Sequence, residues 1–469
     1  MKKTNPLVRK IAFASADLFG GGSFNIINFL YPGFLALVVG ISPFWSSFIM
    51  LVARVFDAII DPLIGWISDR TESRFGKRRI YLIVVSPLII VGMFLVFYPY
   101  QFPNETTRVI AVLISYLTFV AIQSSIMIPY ISLSSEISTD YQQRASFNSY
   151  RLGFSIFSSI VCVAVPGIIV NSYEDPLLGY QVMSLSFGIF FAISVLLSGL
   201  FAREEIKSPV VKEKLSFKAL FIPLKIKAFR QYLLMFLTTQ MTMAILSGLF
   251  FFYIDFFVVK DLTAAGESTA VGLIGAALMF SMQIVALPIY LKLIASKGKT
   301  FVFQIGSLLW IVAGLTVMLI PANVNPLIVY LLAAVMGFGI SAPGLIPHTM
   351  FGDVVDAGEL KLGKRLEGNM SGFTNFMNQI AQAIGLSATM FILGLAGFTE
   401  QDLTLPPINS QPDSALLAIR LTMALAPLLL MGIGIWISST YKISAKRQAD
   451  ILVAIQSKHK NLDTFSDIL

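Results

Sequence analysis

The chain has 469 residues, of which 56% are hydrophobic and only 13% charged, with 39 Phe and a formal net charge of +8 at pH 7. That apolar share exceeds what the interior of a water-soluble chain of this length requires, and it points to a membrane protein. The lone cysteine, Cys162, excludes an internal disulfide framework, and the two histidines, His348 and His459, build no catalytic constellation of the kind a membrane-embedded enzyme carries.

Apolar runs long enough for a helix to cross the hydrocarbon core, roughly 20 residues at 1.5 Å rise, recur along the whole chain. About twelve spans are predicted, near Ile11–Val39, Phe44–Ile67, Ile80–Tyr100, Val109–Leu133, Gly153–Val170, Tyr180–Phe201, Tyr232–Val259, Ala270–Ile294, Phe301–Ile320, Leu327–Pro347, Ser371–Phe398 and Leu416–Thr440. The expected fold is an all-α membrane protein.

The first span follows a short basic segment, Met1 to Lys10, and continues past Gly40 without a small-residue cleavage site, so it is expected to be retained. It carries Asp17 and the run Gly20-Gly21-Gly22, which suits either a flex point or close helix packing.

The second span carries Arg54, Asp57 and Asp61. An ionisable residue at the bilayer centre costs roughly 2.5 to 3.5 kcal/mol on insertion scales, so three in one span mark a functional site. Asp57 and Asp61 share a helix face, and two close carboxylates do not both ionise readily without a bound cation. They are expected to titrate as a pair and to hold a coupling cation. Arg54, three residues before Asp57, neutralises one charge in this scheme; the plainer alternative is an Arg–Asp bridge that merely locks helices.

After that span comes Gly65-x3-Asp69-Arg70-x5-Gly76-Lys77-Arg78-Arg79. A glycine that lets two helices approach, an aspartate at a helix end that can pair with arginines, and a basic cluster that anchors the inner face suit a conformational latch. The fourth span offers Gln123, Ser124, Met127, Pro129 and Ile131, followed by Glu136, Asp140, Arg144 and Arg151. The tenth is followed by Asp353 and Arg365, and the eleventh presents Thr374, Asn375, Asn378 and Gln379, either as a binding face or as interhelical glue. The seventh span ends in an aromatic run, Phe250 to Phe257, with Asp255 inside it.

Lys and Arg in short loops mark the cytoplasmic side. With the N-terminus inside, all of the 34 Lys and Arg fall in alternate, inner loops and the two ends except Arg54, Arg108, Lys260 and Arg420. Both termini are therefore expected in the cytoplasm, and the positive net charge reflects topology rather than nucleic-acid binding. The basic stretch 203–230 divides the spans six and six, giving an N-terminal half 1–202, a linker 203–230, a C-terminal half 231–441 and a tail 442–469, of which Ile443 to Ile455 suits an amphipathic helix. Weak internal similarity supports two halves: Gly65 to Arg79 has an eroded counterpart in Leu287 to Thr300, and Pro129 with Glu136, Asp140 and Arg144 is matched by Pro347 with Asp353, Asp356 and Arg365.

The loop after the second span resembles the signature of the major facilitator superfamily. The longer string from Arg54 to Thr71, with Pro129-Tyr130, Glu136-x3-Asp140-x3-Arg144 and Lys364-Arg365-Leu366-Glu367-Gly368, is similar to the glycoside-pentoside-hexuronide:cation symporters, the melibiose-permease-like branch. The resemblance implies that Asp57 and Asp61 coordinate or carry the coupling cation, that Asp17 lies near the sugar, and that Arg151 lines the same cavity. Departures from the family pattern shape the expectation further. Ile60 stands where melibiose-type members have asparagine, and Met127 where they have a polar residue, which thins a sodium shell and leaves Ser124 and Gln123 as nearby oxygens. A hard cation wants about six oxygens, so H+ coupling is favoured over Na+. Ile131 replaces the family's aromatic platform and Gln379 its usual lysine, which makes a melibiose-like disaccharide a poor fit.

The function expected is cation-coupled symport of a small solute, a glycoside or other sugar, by alternating access in a bacterial inner membrane. A vertebrate branch of the same family moves lysolipids, so a lysolipid or other amphipathic solute is the alternative, together with uncoupled facilitation. The solute contacts are expected at Asp17, Gln123, Met127, Ile131, Arg151, Asn375 and Gln379, the cation at Asp57, Asp61 and Ser124, and the latches at Asp69, Arg70, Gly76, Lys77, Arg78, Glu136, Asp140, Arg144, Asp353 and Arg365. Neither an enzymatic activity nor a cofactor beyond the coupling ion is expected, and the partners are the lipid bilayer and the solute, with the monomer as working unit.

Overall fold

The computed structural model describes residues 6–137, 141–202, 221–258, 265–321, 324–363, 367–401, 410–456, 465 and 468. All regular structure among the described residues is helical. In chain order the helices are α1 (Pro6–Gly33), α2 (Pro43–Arg70), α3 (Arg79–Val85), α4 (Leu88–Val96), α5 (Glu105–Glu136), α6 (Tyr141–Asn171), α7 (Pro176–Phe201), α8 (Lys227–Tyr253), α9 (Ala265–Lys297), α10 (Lys299–Leu319), α11 (Pro326–Leu362), α12 (Glu367–Leu395), α13 (Asp413–Ala426), α14 (Gly432–Thr440) and α15 (Ala445–Gln456).

Ten helical segments are long and apolar enough to cross a bilayer, and α3 with α4, bent by 58°, makes an eleventh. The bend falls at Ser86-Pro87. Proline has no amide hydrogen for the helical ladder and its ring crowds the preceding turn, so the span expected over Ile80–Tyr100 is two helices. Helix α2 is long enough but less apolar, because it carries Arg54, Asp57 and Asp61, and it brings the total to twelve. Polar ends are set by local chemistry: the side chains of Asn104, Asp175 and Asn325 each accept from the amide two residues on, opening α5, α7 and α11. Such caps satisfy amides that the helix itself leaves unpaired. Five-residue π-helical turns extend α1 (Phe34–Val38) and α8 (Ile254–Val258) and join α13 to α14 (Pro427–Met431).

Packing defines two compact units, the first comprising Met1–Lys214, Phe250–Ala277 and Met390–Ala415, the second Leu215–Leu249, Leu278–Thr389 and Leu416–Leu469. In the first, α1 lies along α6 and α7, α2 along α5, and α4 along α5 and α7. A Cβ on Gly21 would stand 2.6 Å from Ser155 Oγ, and one on Gly22 would stand 2.7 Å from Cys162 Sγ. The glycine run of the first span thus serves close packing of α1 on α6. Within this unit Phe29 sits edge-on to Phe250 and Phe251, with ring centroids 6.1 and 6.2 Å away.

In the second unit α10 lies along α11, around a core that includes Phe229, Tyr232, Tyr290, Phe303, Met350 and Phe373. The amphipathic tail helix expected from Ile443 to Ile455 is α15, and it packs on this unit. Ile451 is fully buried, Gln448 Nε2 donates to Asp356 Oδ2 at 2.7 Å, and the Ala228 amide donates to the Ile468 carbonyl at 3.0 Å.

Candidate functional site

The charged cluster of α2 is tied to α1 and α5. Arg54 is 9% exposed; its Nη2 donates to Asn28 Oδ1 at 3.1 Å, and its Nη1 lies 3.7 Å from Asp57 Oδ2. Ser124 Oγ donates to Asp57 Oδ1 at 3.1 Å. Phe24 offers its ring face to the guanidinium at 5.5 Å, an arrangement that favours a cation over the negative face of the π-system. Helical spacing explains the grouping: positions 54 and 57 are neighbours on α2, and Asn28 reaches the same guanidinium from α1. Asp61 lies one turn further along α2 and is partly exposed.

A second cluster joins α1, α5 and α6. Arg151 Nε stands 2.8 Å from Asp17 Oδ2, the guanidinium lies 5.7 Å from the centroid of the Tyr130 ring, and the Tyr130 hydroxyl donates to the Phe13 carbonyl at 3.0 Å. Gln123 Nε2 donates to Ser23 Oγ at 3.2 Å, tying α5 to α1 between the two clusters. Met127 packs against Gly20, next to Asp17, at a place where any side chain would collide with it. Ile131 is 46% exposed.

The predicted latch residues form a network at the opposite end of α2. Arg78 pairs with Asp69 through Nη2, donates to Ser68 Oγ at 2.6 Å through Nη1, and places Nε 3.6 Å from Glu136 Oε2. Lys77 Nζ lies 3.5 Å from Glu136 Oε1. Gly76, with φ of +108°, makes the turn that brings the basic pair back to α2, a conformation costly for any residue with a Cβ. Arg70 instead stacks on Trp66 at 4.0 Å, while Arg79 donates to the Gly199 and Leu200 carbonyls at 2.8 Å. In the second unit Lys299 Nζ lies 2.5 Å from Asp353 Oδ2, repeating the pairing of a basic residue after one span with an acid two spans later. Asp140 and Arg365 lie outside the described residues, as does the side chain of Arg144.

Asn375 and Gln379 belong to the second unit, Asn375 exposed and Gln379 partly buried. Between them Asn378 Oδ1 accepts from Gln240 Nε2 and Gln382 Nε2, both at 3.0 Å, so the polar face of α12 extends onto α8.

Residues 12–445 match the family model described as MFS/sugar transport protein. The chain belongs to this family. Its relatives include an uncharacterized symporter of Synechocystis sp., 26% identical over 96% of this chain and 97% of that protein, and the symporter YjmB of Bacillus subtilis, 26% identical over 97% of each. The sodium-dependent lysophosphatidylcholine symporter 1-B of Danio rerio is 24% identical over 96% of this chain and 90% of that one. In fold the chain is similar to the nucleoside transporter NupG (TM-score 0.60, 12% identity, 94% of this chain and 100% of that one). It is also similar to a bacterial homologue of the drug peptide transporters PepT1 and PepT2 (TM-score 0.64, 12% identity, 93% and 98%). This family member is thus a multi-pass membrane protein with the fold of major facilitator transporters, and its relatives are symporters.

Within that frame, Asn28, Tyr130, Gln240 and Lys299 are the residues that sequence reasoning did not place in these clusters. Asn28 carries a usable signal, being one of the few polar side chains in an apolar span. Lys299 carries a weaker one, since it sits in the eroded copy of the first latch loop. Tyr130 and Gln240 are legible only through the packing that brings Arg151 and Asn378 to them.

Proposed function

We propose that this transporter symports a small solute with a cation by alternating access, with Asp57 and Asp61 as the cation-carrying pair. The observation that carries the reading is the cluster of Arg54, Asp57, Asn28 and Ser124, which joins three helices through the Asp57 carboxyl group and the Arg54 guanidinium. A proton is the favoured coupling ion. Arg54 already pairs with Asp57, so a sodium ion at Asp57 competes with a guanidinium, and Ile60 and Met127 add no oxygen to the shell of about six that a hard cation wants. The sodium-dependent relative supports sodium as the second arm of the test.

The favoured solute is a glycoside or other sugar; its proposed contacts are Asp17, Gln123, Met127, Ile131 and Arg151 in the first unit and Asn375 and Gln379 in the second. A lysolipid is the second reading. It is supported by Met127, which presents a thioether beside Asp17, by the exposed Ile131, and by the lysophosphatidylcholine relatives. Transport proceeds by alternating access, with the Asp69 to Arg79 network and the Lys299–Asp353 pair as latches, both termini in the cytoplasm, and the monomer as the working unit.

Thermal unfolding of the purified protein against glycosides, pentosides, uronides and lysolipids, each in sodium or choline and at two pH values, tests the reading. Stabilisation by a glycoside that depends on sodium or pH supports it. Stabilisation by lysolipids and by no sugar replaces the solute, and stabilisation indifferent to ion and pH removes the coupling.

A further inference from the structure

The end of the first unit remote from the Asp69 to Arg79 loop holds a recess of about 140 Å³ that none of the clusters above uses. Its walls come from α1, α6, α7 and the π-helical turns, with Phe251 of α8 and Leu273 of α9, all within that unit. Three aromatic rings line it, those of Phe29, Tyr180 and Phe251, together with the Asp255 carboxylate and the Asn171 amide; the rest of the lining is leucine, valine and glycine. Two helices abandon the α ladder at this recess, one in the turn Phe34–Val38 that contributes Leu37 and the other in Ile254–Val258 that contributes Asp255. Single π-helical turns inside α-helices mark functional sites with unusual frequency.

We propose that this recess is a binding site for an organic ammonium group, separate from the coupling-cation cluster. The lining chemistry selects that class. Aromatic faces attract a diffuse cation, most strongly where water is excluded, and one carboxylate supplies the counter-charge. A hard metal ion needs about six oxygen ligands, and the side chains of Asp255, Asn171 and Tyr180 do not supply that number. An anion meets the Asp255 carboxylate, and a sugar ring finds only the side chains of Asp255, Asn171 and Tyr180 to bond the hydroxyls around its rim, the rest of the lining being apolar side chains and glycine. The ammonium group of a free amine and that of a lipid headgroup present the same chemistry, so both belong to the class.

The recess permits a clean probe, because Gly33 lines it in ordinary helical backbone, φ −63°, and a Cβ there meets nothing within 4 Å. Gly33→Leu, whose Cβ enters open space, is the variant that adds bulk at the recess, and Asp255→Asn removes the charge. Binding of choline to the full-length protein, measured by calorimetry in sodium-free buffer, is compared with that of its uncharged isostere 3,3-dimethylbutanol, of methyl glucoside and of lysophosphatidylcholine. The expected result is choline binding that weakens about tenfold or more in each variant and in the isostere, with both variants melting near wild type. Tighter binding of lysophosphatidylcholine that is lost in the same variants identifies a lipid headgroup as the source, and equal loss of choline alone identifies a free amine. Absence of choline binding by wild type, undiminished binding by both variants, or a preference for methyl glucoside overturns the proposal. The measurement involves neither transport nor Asp57 and Asp61, so its failure leaves the symport reading standing.

Discussion

Arg54 bridges Asn28 and Asp57, donating to the amide oxygen at 3.1 Å while a second guanidinium nitrogen lies 3.7 Å from the carboxylate. The charge of Asp57 is balanced from within the protein, and whatever binds there works against a guanidinium already in place. Removing one partner of a buried pair leaves an uncompensated charge, at a cost of about 3–5 kcal/mol. Asp57→Asn is expected to melt well below wild type, and the double variant Arg54→Gln with Asp57→Asn to recover most of that loss. A double-mutant cycle on thermal melting reads the coupling directly; strictly additive losses would mean that the pair is a coincidence of position.

The ion-pair networks around Glu136 and Asp353 are expected to control rate rather than solute affinity. Glu136→Gln removes the common partner of Lys77 and Arg78, and Lys299→Met frees Asp353. Interactions that bias a conformational equilibrium by 1–3 kcal/mol change its populations on the order of tenfold, so maximal uptake is expected to fall by about that factor with half-saturation nearly unchanged. Initial-rate uptake over a range of solute concentrations separates the two parameters, and a rise in half-saturation with unchanged maximal rate would move these residues into solute binding.

Close packing at Gly21 has a simple consequence. An added methyl meets Ser155 Oγ at 2.6 Å and the Ser155 carbonyl oxygen at 3.0 Å, so Gly21→Ala pushes α1 from α6 and is expected to cost about 1–3 kcal/mol. Gly344→Ala, where the new methyl meets nothing within 4 Å, is expected to be neutral or stabilising by about 0.5–1 kcal/mol. Melting temperatures of the two variants in one detergent decide it; equal shifts would mean that the glycine run serves flexing instead.

The tail helix contributes to folding stability. Ile451 is fully buried against the second unit whereas its neighbour Leu452 is 43% exposed. Ile451→Ala is expected to destabilise by about 2–5 kcal/mol, with Leu452→Ala near wild type. A tail resting loosely on the surface would show no difference between them in a thermal melt.

Much of this was legible in the sequence because bilayer thickness translates directly into run length, and because Arg54, Asp57 and Asp61 are conspicuous in an apolar span. The i, i+3 relation of Arg54 and Asp57 and the basic loop after α2 needed only helical geometry. Other features were hidden for physical reasons. The bend at Ser86-Pro87 depends on one proline inside an apolar run that otherwise reads as continuous. The pairing of Asp17 with Arg151 joins residues on α1 and α6 that no local spacing connects, and only the family resemblance placed both near one cavity. Asn28 completes the Arg54 cluster from another helix, a relation set by packing, and the polar ends of α5, which reaches Glu136, extend beyond the hydropathy run that marks its span.

The central claim is that Asp61, with Asp57, couples a cation gradient to solute movement. Proteoliposomes carrying wild type or Asp61→Asn test it when loaded for solute exchange and, separately, challenged with an imposed proton or sodium gradient. Wild type is expected to accumulate solute uphill under one of the two gradients, while Asp61→Asn retains exchange of solute across the membrane and loses accumulation. Accumulation by Asp61→Asn equal to that of wild type would contradict the account.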